Sequence, residues 1–527
     1  MHPACALHRH HRPGRHPSDA HPSGDVSVRT AGLTRRDAGV MTSSTAARHA
    51  MGLVGPAIVL GVLTALRLPW LHAPLVTQDE GIIVLYAQQI LDGRLPQRDF
   101  YTVYGPGTFA LTAGAFAMLG SSLVVERLVG LALQSLVVLG VYRLALGRGR
   151  VFAVGASLLS VLCLTPLGLA AYAWVGGLCC IVWGIVLLQG RRRLVPAFAL
   201  LALSAFFRPE MALPALAAGL PFLTSRAAWR SAVLGVATGS APSVVFYVTW
   251  GGRAFDNVVL QRGLVNARMQ IDGHIVVILC LAVATLLVLL LSAIRVGSAE
   301  AWSRVLLVAL MLPQLVQRTD LDHLGYLMAL GAPFVVLAGF GRPESASRWP
   351  SVIGRGALVV VLALLIVPSR LLVAPGPSAA YEVAGRSVEV PAEDVGAINE
   401  LRRSVLHLVS PGARVFVGTQ DMRMPSVTPV QLYFLFPELR TDAYYLEMPI
   451  GISTTVAEQM ADDVRGSDVL LLSRFPRDLT ERLFPNVPLG PSDADEAVRA
   501  GFCPAGGSAD LRIMVRCATA RNDGLVQ

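Results

Sequence analysis

The chain has 527 residues, of which 54% are hydrophobic and only 15% charged, with a mean hydropathy of +0.56. Soluble domains carry about 25% charged residues, so this composition excludes an ordinary soluble protein and points to a lipid-embedded one. The net charge of +9 comes from 44 basic residues, all arginine, most of them in short stretches between apolar runs; that distribution sets membrane orientation, and nucleic acid is not expected as a partner.

In chain order, residues 1–48 come first: six of the eleven histidines fall in the first 21 residues, among Arg, Pro and Ser. Such a tract buries too little apolar surface to fold, and a disordered His/Arg-rich cytoplasmic tail is expected. Met41 begins a plausible shorter protein. A helix needs about 20 apolar residues to cross the hydrocarbon. Spans are expected near 51–70, 126–146, 151–170, 172–189, 194–207, 211–224, 231–250, 274–294, 304–317, 324–340 and 352–374, about eleven in all. The stretch 105–120 is short and rich in Gly and Ala, and reads as a helix lying in the outer interface.

The arginines test this arrangement. With the amino terminus inside, inner loops hold Arg143, Arg148, Arg150, Arg191, Arg192, Arg193, Arg226, Arg230, Arg295, Arg304, Arg342, Arg348 and Arg355. Outer loops hold Asp79, Glu80, Asp99, Glu210, Asp256, Asp272, Asp320 and Asp322. That split follows the positive-inside rule, and counting 105–120 as a crossing would put Arg191, Arg192 and Arg193 outside. The expected fold is a polytopic α-helical membrane protein, N-in and C-out. Its transmembrane domain covers 49–374, and a small extracytoplasmic α/β domain covers 375–527.

In the C-terminal region the spacing predicts helices over 396–409, 427–436 and 455–464. It predicts strands over 415–418, 442–448, 469–473 and 511–517. No Gly-rich phosphate loop follows the first strand, so no nucleotide cofactor is assigned. Cys163, Cys179, Cys180 and Cys280 lie inside spans and read as small packing residues. Cys503 and Cys517 share the outer domain, where oxidising conditions predict a disulfide between them.

Four outer segments carry polar groups that need water, a partner or a task. The first opens with Asp79-Glu80, continues through Arg94, Arg98 and Asp99, and reaches Tyr104-Gly105-Pro106-Gly107. Adjacent residues on a helix point about 100° apart, so the two acids divide their work: one a base, the other a charge at a helix start. The second is Phe207-Arg208-Pro209-Glu210, either a proline turn with an ion pair or an arginine facing an anion. In the third, Arg318-Thr319-Asp320-Leu321-Asp322-His323, Asp320 and His323 share a face if helical. The fourth, residues 251–273 with Arg253, Arg262 and Arg268, is an interfacial anchor or a lid over a lipid substrate.

Together these residues resemble the GT-C superfamily of membrane glycosyltransferases, in the branch similar to bacterial protein O-mannosyltransferases and lipid A aminoarabinose transferases. The likeness is carried by Asp79-Glu80, the run Tyr86-Ala-Gln-Gln-Ile-Leu-Asp-Gly-Arg-Leu-Pro96, Arg98-Asp99-Phe100, the Tyr104–Gly107 motif with Arg127, and the Arg318/Asp320/His323 cluster. The resemblance implies a polyprenyl-phosphate sugar donor, hexosyl or pentosyl, used at the outer face of a bacterial cytoplasmic membrane. The implied acceptor is an envelope glycan, lipid or protein. The first-loop acid would be the base or, in some branches, a ligand of a divalent cation such as Mg or Mn. Carried over, Asp79 is the base and Glu80 its neighbour. Arg318 is a candidate for the lipid phosphate, and Arg98, Asp99, Tyr104, Arg208, Glu210, Asp320 and His323 line the substrates. A departing polyprenyl phosphate is already an anion, so it needs cations rather than a general acid. One base and one displacement predict inversion at the sugar carbon. The alternative is a transporter or flippase of a lipid-linked envelope precursor; such proteins place polar residues near the midplane on broken helices.

Overall fold

Backbone polar groups find no partner in lipid, so apolar runs fold as helices that satisfy themselves. The computed structural model describes residues 53–75, 78–190, 193–257, 273–317, 320–339, 375–423, 428–447, 456–474 and 489–522. In chain order the first part holds α1 (Leu53–Trp70), α2 (Gln78–Leu91), α3 (Gly107–Leu119), β1 (Ser121–Ser122), α4 (Leu123–Ala145), α5 (Arg150–Leu164) and α6 (Ala173–Gln189). It continues with α7 (Leu194–Phe207), α8 (Ala212–Gly219), α9 (Arg226–Phe255), α10 (Gly273–Val296), α11 (Ala299–Gln317) and α12 (Leu321–Gly339).

Among the described residues seven of these, α1, α4, α5, α9, α10, α11 and α12, are long and apolar enough to cross a membrane. Helices α3, α6 and α7 are apolar but shorter. The 13 residues of α3 and the 14 of α7, at about 1.5 Å rise each, reach only about 20 Å, short of the roughly 30 Å hydrocarbon core, so length does not separate an interfacial α3 from a crossing α7. The span expected over 211–224 is not one long helix. It divides into a 3-10 turn (Pro209–Met211), α8 and a second 3-10 turn (Leu220–Phe222), each turn with proline in its first positions. The tail 1–48, the span 352–374 and Arg191, Arg192 and Arg318 lie outside the described residues.

The C-terminal region adds β2 (Ser378–Val383), β3 (Arg386–Pro391), α13 (Val395–Leu408), β4 (Val415–Thr419), α14 (Gln431–Leu435) and α15 (Ala457–Gly466). It ends with β5 (Val469–Ser473), α16 (Asp493–Gly501), β6 (Phe502–Gly507), β7 (Leu511–Arg516) and α17 (Cys517–Asn522). One sheet has the order β4-β5-β7-β6, with β4 and β5 parallel and the rest antiparallel. Its two parallel strands are buried through nearly their whole length, as their unbroken apolar runs require. A disulfide joins Cys503 of β6 to Cys517 at the start of α17, with 4.9 Å between Cα atoms.

The second sheet, β1-β3-β2, was not foreseen. Its hairpin turns through Ala384 and Gly385 at φ 46° and 76°. Such a mirror-type turn usually announces itself by Asn-Gly or Asp-Gly, and Ala-Gly hides it. β1 runs parallel to β3, Ser121 opposite Arg386 and Ser122 opposite Ser387, so the membrane-helix portion supplies a strand to the C-terminal region. Further ties are Leu75 N–H to the Glu389 carbonyl at 2.8 Å and Tyr101 N–H to the Tyr444 carbonyl at 2.7 Å. Residues 54–527 accordingly group as one unit.

The strand expected over 442–448 is absent from its described part, 442–447. There the Asp463 carboxylate accepts the N–H groups of Tyr444 at 2.9 Å and Tyr445 at 2.8 Å. Those donors are lost to a ladder, and the segment stays irregular.

Candidate active site

Helix α2 begins with the acids at its positive end and stops at Gly93, where φ is +81° and Arg94 N–H reaches back to the Gln89 carbonyl at 2.9 Å. Residues from Glu80 to Gln89 are all buried, so this helix is an internal strut. Glu80 meets Arg127 of α4 in a two-pronged pair, Nε to Oε1 at 2.7 Å and Nη2 to Oε2 at 3.0 Å. Both side chains are almost wholly buried, at 6% and 4% exposure. Arg127 also donates to the carbonyls of Leu71 and Ala73, clamping the chain that leads into α2. Asp79, one residue earlier, points elsewhere. It is half-buried, and among the described residues its carboxylate makes no hydrogen bond or ion pair. The two acids have thus divided their surroundings as the helical angle requires.

The Tyr104-Gly105-Pro106-Gly107 motif presses against the end of α7. A Cβ on Gly105 would come within 2.4 Å of the Phe206 carbonyl oxygen, so only glycine permits this approach. It carries Tyr104 to Arg208, whose guanidinium carbon lies 5.6 Å from the Tyr104 ring centre and 4.4 Å from that of Trp174. Arg208 is extended, φ −147° and ψ 115°, as a residue before proline must be. Its Nε donates to Glu210 Oε1 at 2.6 Å. Among the described residues both Nη groups make no hydrogen bond. The result is a buried, aromatic-flanked guanidinium, one edge fixed and the fork open. That geometry suits a phosphate oxygen pair.

Asp320 caps α12, its Oδ1 accepting from His323 N–H at 2.8 Å and lying 2.7 Å from His323 Nδ1. The imidazole is thereby set edge-on to Trp174 and Tyr326 at 5.9 and 5.8 Å, and Trp174 stacks on Tyr326 at 5.0 Å. Arg208, Trp174, Tyr326 and His323 make one wall from three elements.

From the C-terminal side Glu447 accepts the Tyr86 hydroxyl at 2.9 Å. Burial pushes Glu447 up to about 8, and the Asp79 carboxylate adds to that shift. Arg98 and Asp99 lie in a different place. They pair at 2.6 Å and line a cleft of about 440 Å³ with Gly93, Arg94, Asp442, Tyr444 and Asp463. The Arg98 guanidinium beside Asp99 holds that carboxyl below its usual range. Arg94 is spent on structure, donating to the carbonyls of Asp99, Thr441 and Ala443.

Among the described residues no three His, Cys, Asp or Glu side chains gather as a metal site would need. The sequence singles out neither Trp174, Tyr326 nor Glu447, and Tyr86 enters only as the first residue of the run that carries the resemblance. Trp174 and Tyr326 carried one weak signal, aromatic residues near the ends of apolar spans.

No family model matches the sequence, and no curated protein matches it. Among solved structures, ArnT from Cupriavidus metallidurans bound to undecaprenyl phosphate is 14% identical, with a TM-score of 0.51 over 87% of this chain and 97% of that one. The apo form of that protein gives 13% identity and the same TM-score of 0.51 over 89% and 99%. The Archaeoglobus fulgidus oligosaccharyltransferase in complex with zinc and sulfate is 13% identical, with a TM-score of 0.43 over 80% and 68%. Over most of its length the chain shares the fold of that ArnT.

Proposed function

We propose that this protein moves a sugar from a polyprenyl-phosphate donor to a cell-envelope acceptor at the outer face of a bacterial cytoplasmic membrane. The observation that carries the reading is Arg208: buried, with the rings of Trp174 and Tyr104 against its guanidinium and its two Nη groups making no hydrogen bond among the described residues. The similar ArnT was solved with undecaprenyl phosphate bound, which supports a polyprenyl phosphate as the ligand class.

In this reading the donor phosphate lies on the Arg208 fork, with Arg318 as a second cation. Asp79 takes the proton of the acceptor hydroxyl. The oxygen attacks the anomeric carbon, the bond to phosphate breaks, and polyprenyl phosphate leaves with the electron pair. Preorganised cations stabilise that leaving charge where water is scarce. The sugar configuration inverts. Glu80 fixes the start of α2 through Arg127 and so aims Asp79. Glu210 holds Arg208 in place, Asp320 and His323 brace the aromatic wall, and Arg98 and Asp99 bind substrate from their separate cleft. The proposed topology is N-in and C-out with about eleven crossings. It counts α6, α7, the α8 segment and 352–374, and places 375–527 outside.

Arg208→Ala is expected to weaken binding of undecaprenyl phosphate by about 10–100-fold, because hydrogen bonds to charged groups contribute about 1.5–3 kcal/mol. Titration of nanodisc-embedded wild type and variant checks this. Unchanged binding removes Arg208 from the donor site. Transport of a labelled lipid-linked sugar across vesicles, with no glycosidic bond formed, would favour a flippase instead.

A further inference from the structure

Glu447 and Tyr86 are 361 residues apart in sequence, yet share a hydrogen bond of 2.9 Å. Both are buried, at 2% and 0% exposure. A buried carboxyl is retained only with a partner or a purpose, and here the hydrogen-bond partner is a neutral phenol. Among the described residues the titratable groups that act on Glu447 are Tyr86, its hydrogen-bond partner, and Asp79, both of α2, and Tyr101 of the segment before α3; none of these three is a cation. The Tyr101 hydroxyl is itself buried without a hydrogen-bond partner among the described residues. The Tyr86 hydrogen bond ties Glu447 to α2, the helix that carries Asp79 about two turns earlier, and the Asp79 carboxylate acts on Glu447.

We propose that Glu447 is a positioning residue of the Asp79 site: supplied by the C-terminal region, it anchors Tyr86 and, through its own charge, governs how well the pocket accepts a phosphate-bearing donor. The inference rests on the transferase reading above. Burial, helped by repulsion from Asp79 and opposed by the Tyr86 hydrogen bond, puts the ionisation of Glu447 at about 8. Below that pH Glu447 is a neutral acid. Above it, a new anion stands beside Asp79 and repels the donor phosphate.

The test uses the full chain in nanodiscs. Donor KM and kcat are measured across pH for wild type, Glu447→Gln and Tyr86→Phe. Wild-type donor KM is expected to rise about tenfold between about pH 7 and pH 9, with less change in kcat. Glu447→Gln should flatten that rise. Tyr86→Phe removes a hydrogen bond that favours the ionised acid, so the rise should move to higher pH. A purely structural role would not shift a pH profile in this way.

A second readout needs no turnover. The raised acid contributes stability that is whole below its unfolded value near 4.5 and is lost as pH climbs to about 8. The melting-temperature difference between wild type and Glu447→Gln should follow that window. In an Asp79→Asn background, free of the repelling charge, the change should level off at lower pH. Failure to transfer sugar at any pH would sink the transferase reading but leave this coupling measurable. A pH-independent wild-type KM, or a levelling pH unmoved by Asp79→Asn, overturns the inference. If Glu447→Gln does not fold, the Tyr86→Phe shift of the wild-type KM profile decides alone.

Discussion

Asp79→Asn is expected to cut sugar transfer by about 10²–10⁴-fold, the span a positioned general base contributes, while the protein stays folded. Asp79 is half-buried and among the described residues makes no hydrogen bond or ion pair. An isosteric amide therefore breaks no structural bond and strands no partner. What it removes is the proton acceptor. Transfer from a synthetic polyprenyl-phosphate sugar, measured beside a melting curve for each protein, checks both halves of the expectation. Near-normal transfer would remove Asp79 as the base.

The neighbouring acid should behave in the opposite way. Glu80→Ala leaves Arg127 charged, buried and unpaired, and loss of one partner of such a pair costs about 3–5 kcal/mol. Arg127→Ala should cost as much, since it also frees the Leu71 and Ala73 carbonyls. The double variant should cost less than the sum, because the two residues act as one unit. Melting in detergent measures all three. The expected pattern is a large fall in melting temperature for Glu80→Ala and none for Asp79→Asn. Equal effects at the two positions would mean that the acids do not divide their tasks.

Different surroundings for the two acids are readable from adjacency alone, because the helical angle separates neighbouring side chains whatever surrounds them. The Arg208 turn was readable as two alternatives, and the structure has elements of both: the Glu210 ion pair and a fork open beside two rings. Glu447 was not readable. Nothing local distinguishes it, and its meaning comes from Tyr86, 361 residues away. The Ala384-Gly385 hairpin was hidden because its turn lacks the usual residues. The irregular segment 442–447 was read as a strand because its apolar spacing is strand-like, while the carboxylate that claims its N–H groups comes from α15. Helices in lipid declare themselves through composition. Sites assembled from distant segments do not.

The most direct test of the account is the position of a bound phosphate. In a structure of the nanodisc-embedded protein with undecaprenyl phosphate, the phosphate should sit on the two Nη groups of Arg208, between Trp174 and Tyr104, with its free side toward Asp79. A phosphate seated elsewhere, with the Arg208 fork still empty, would contradict it.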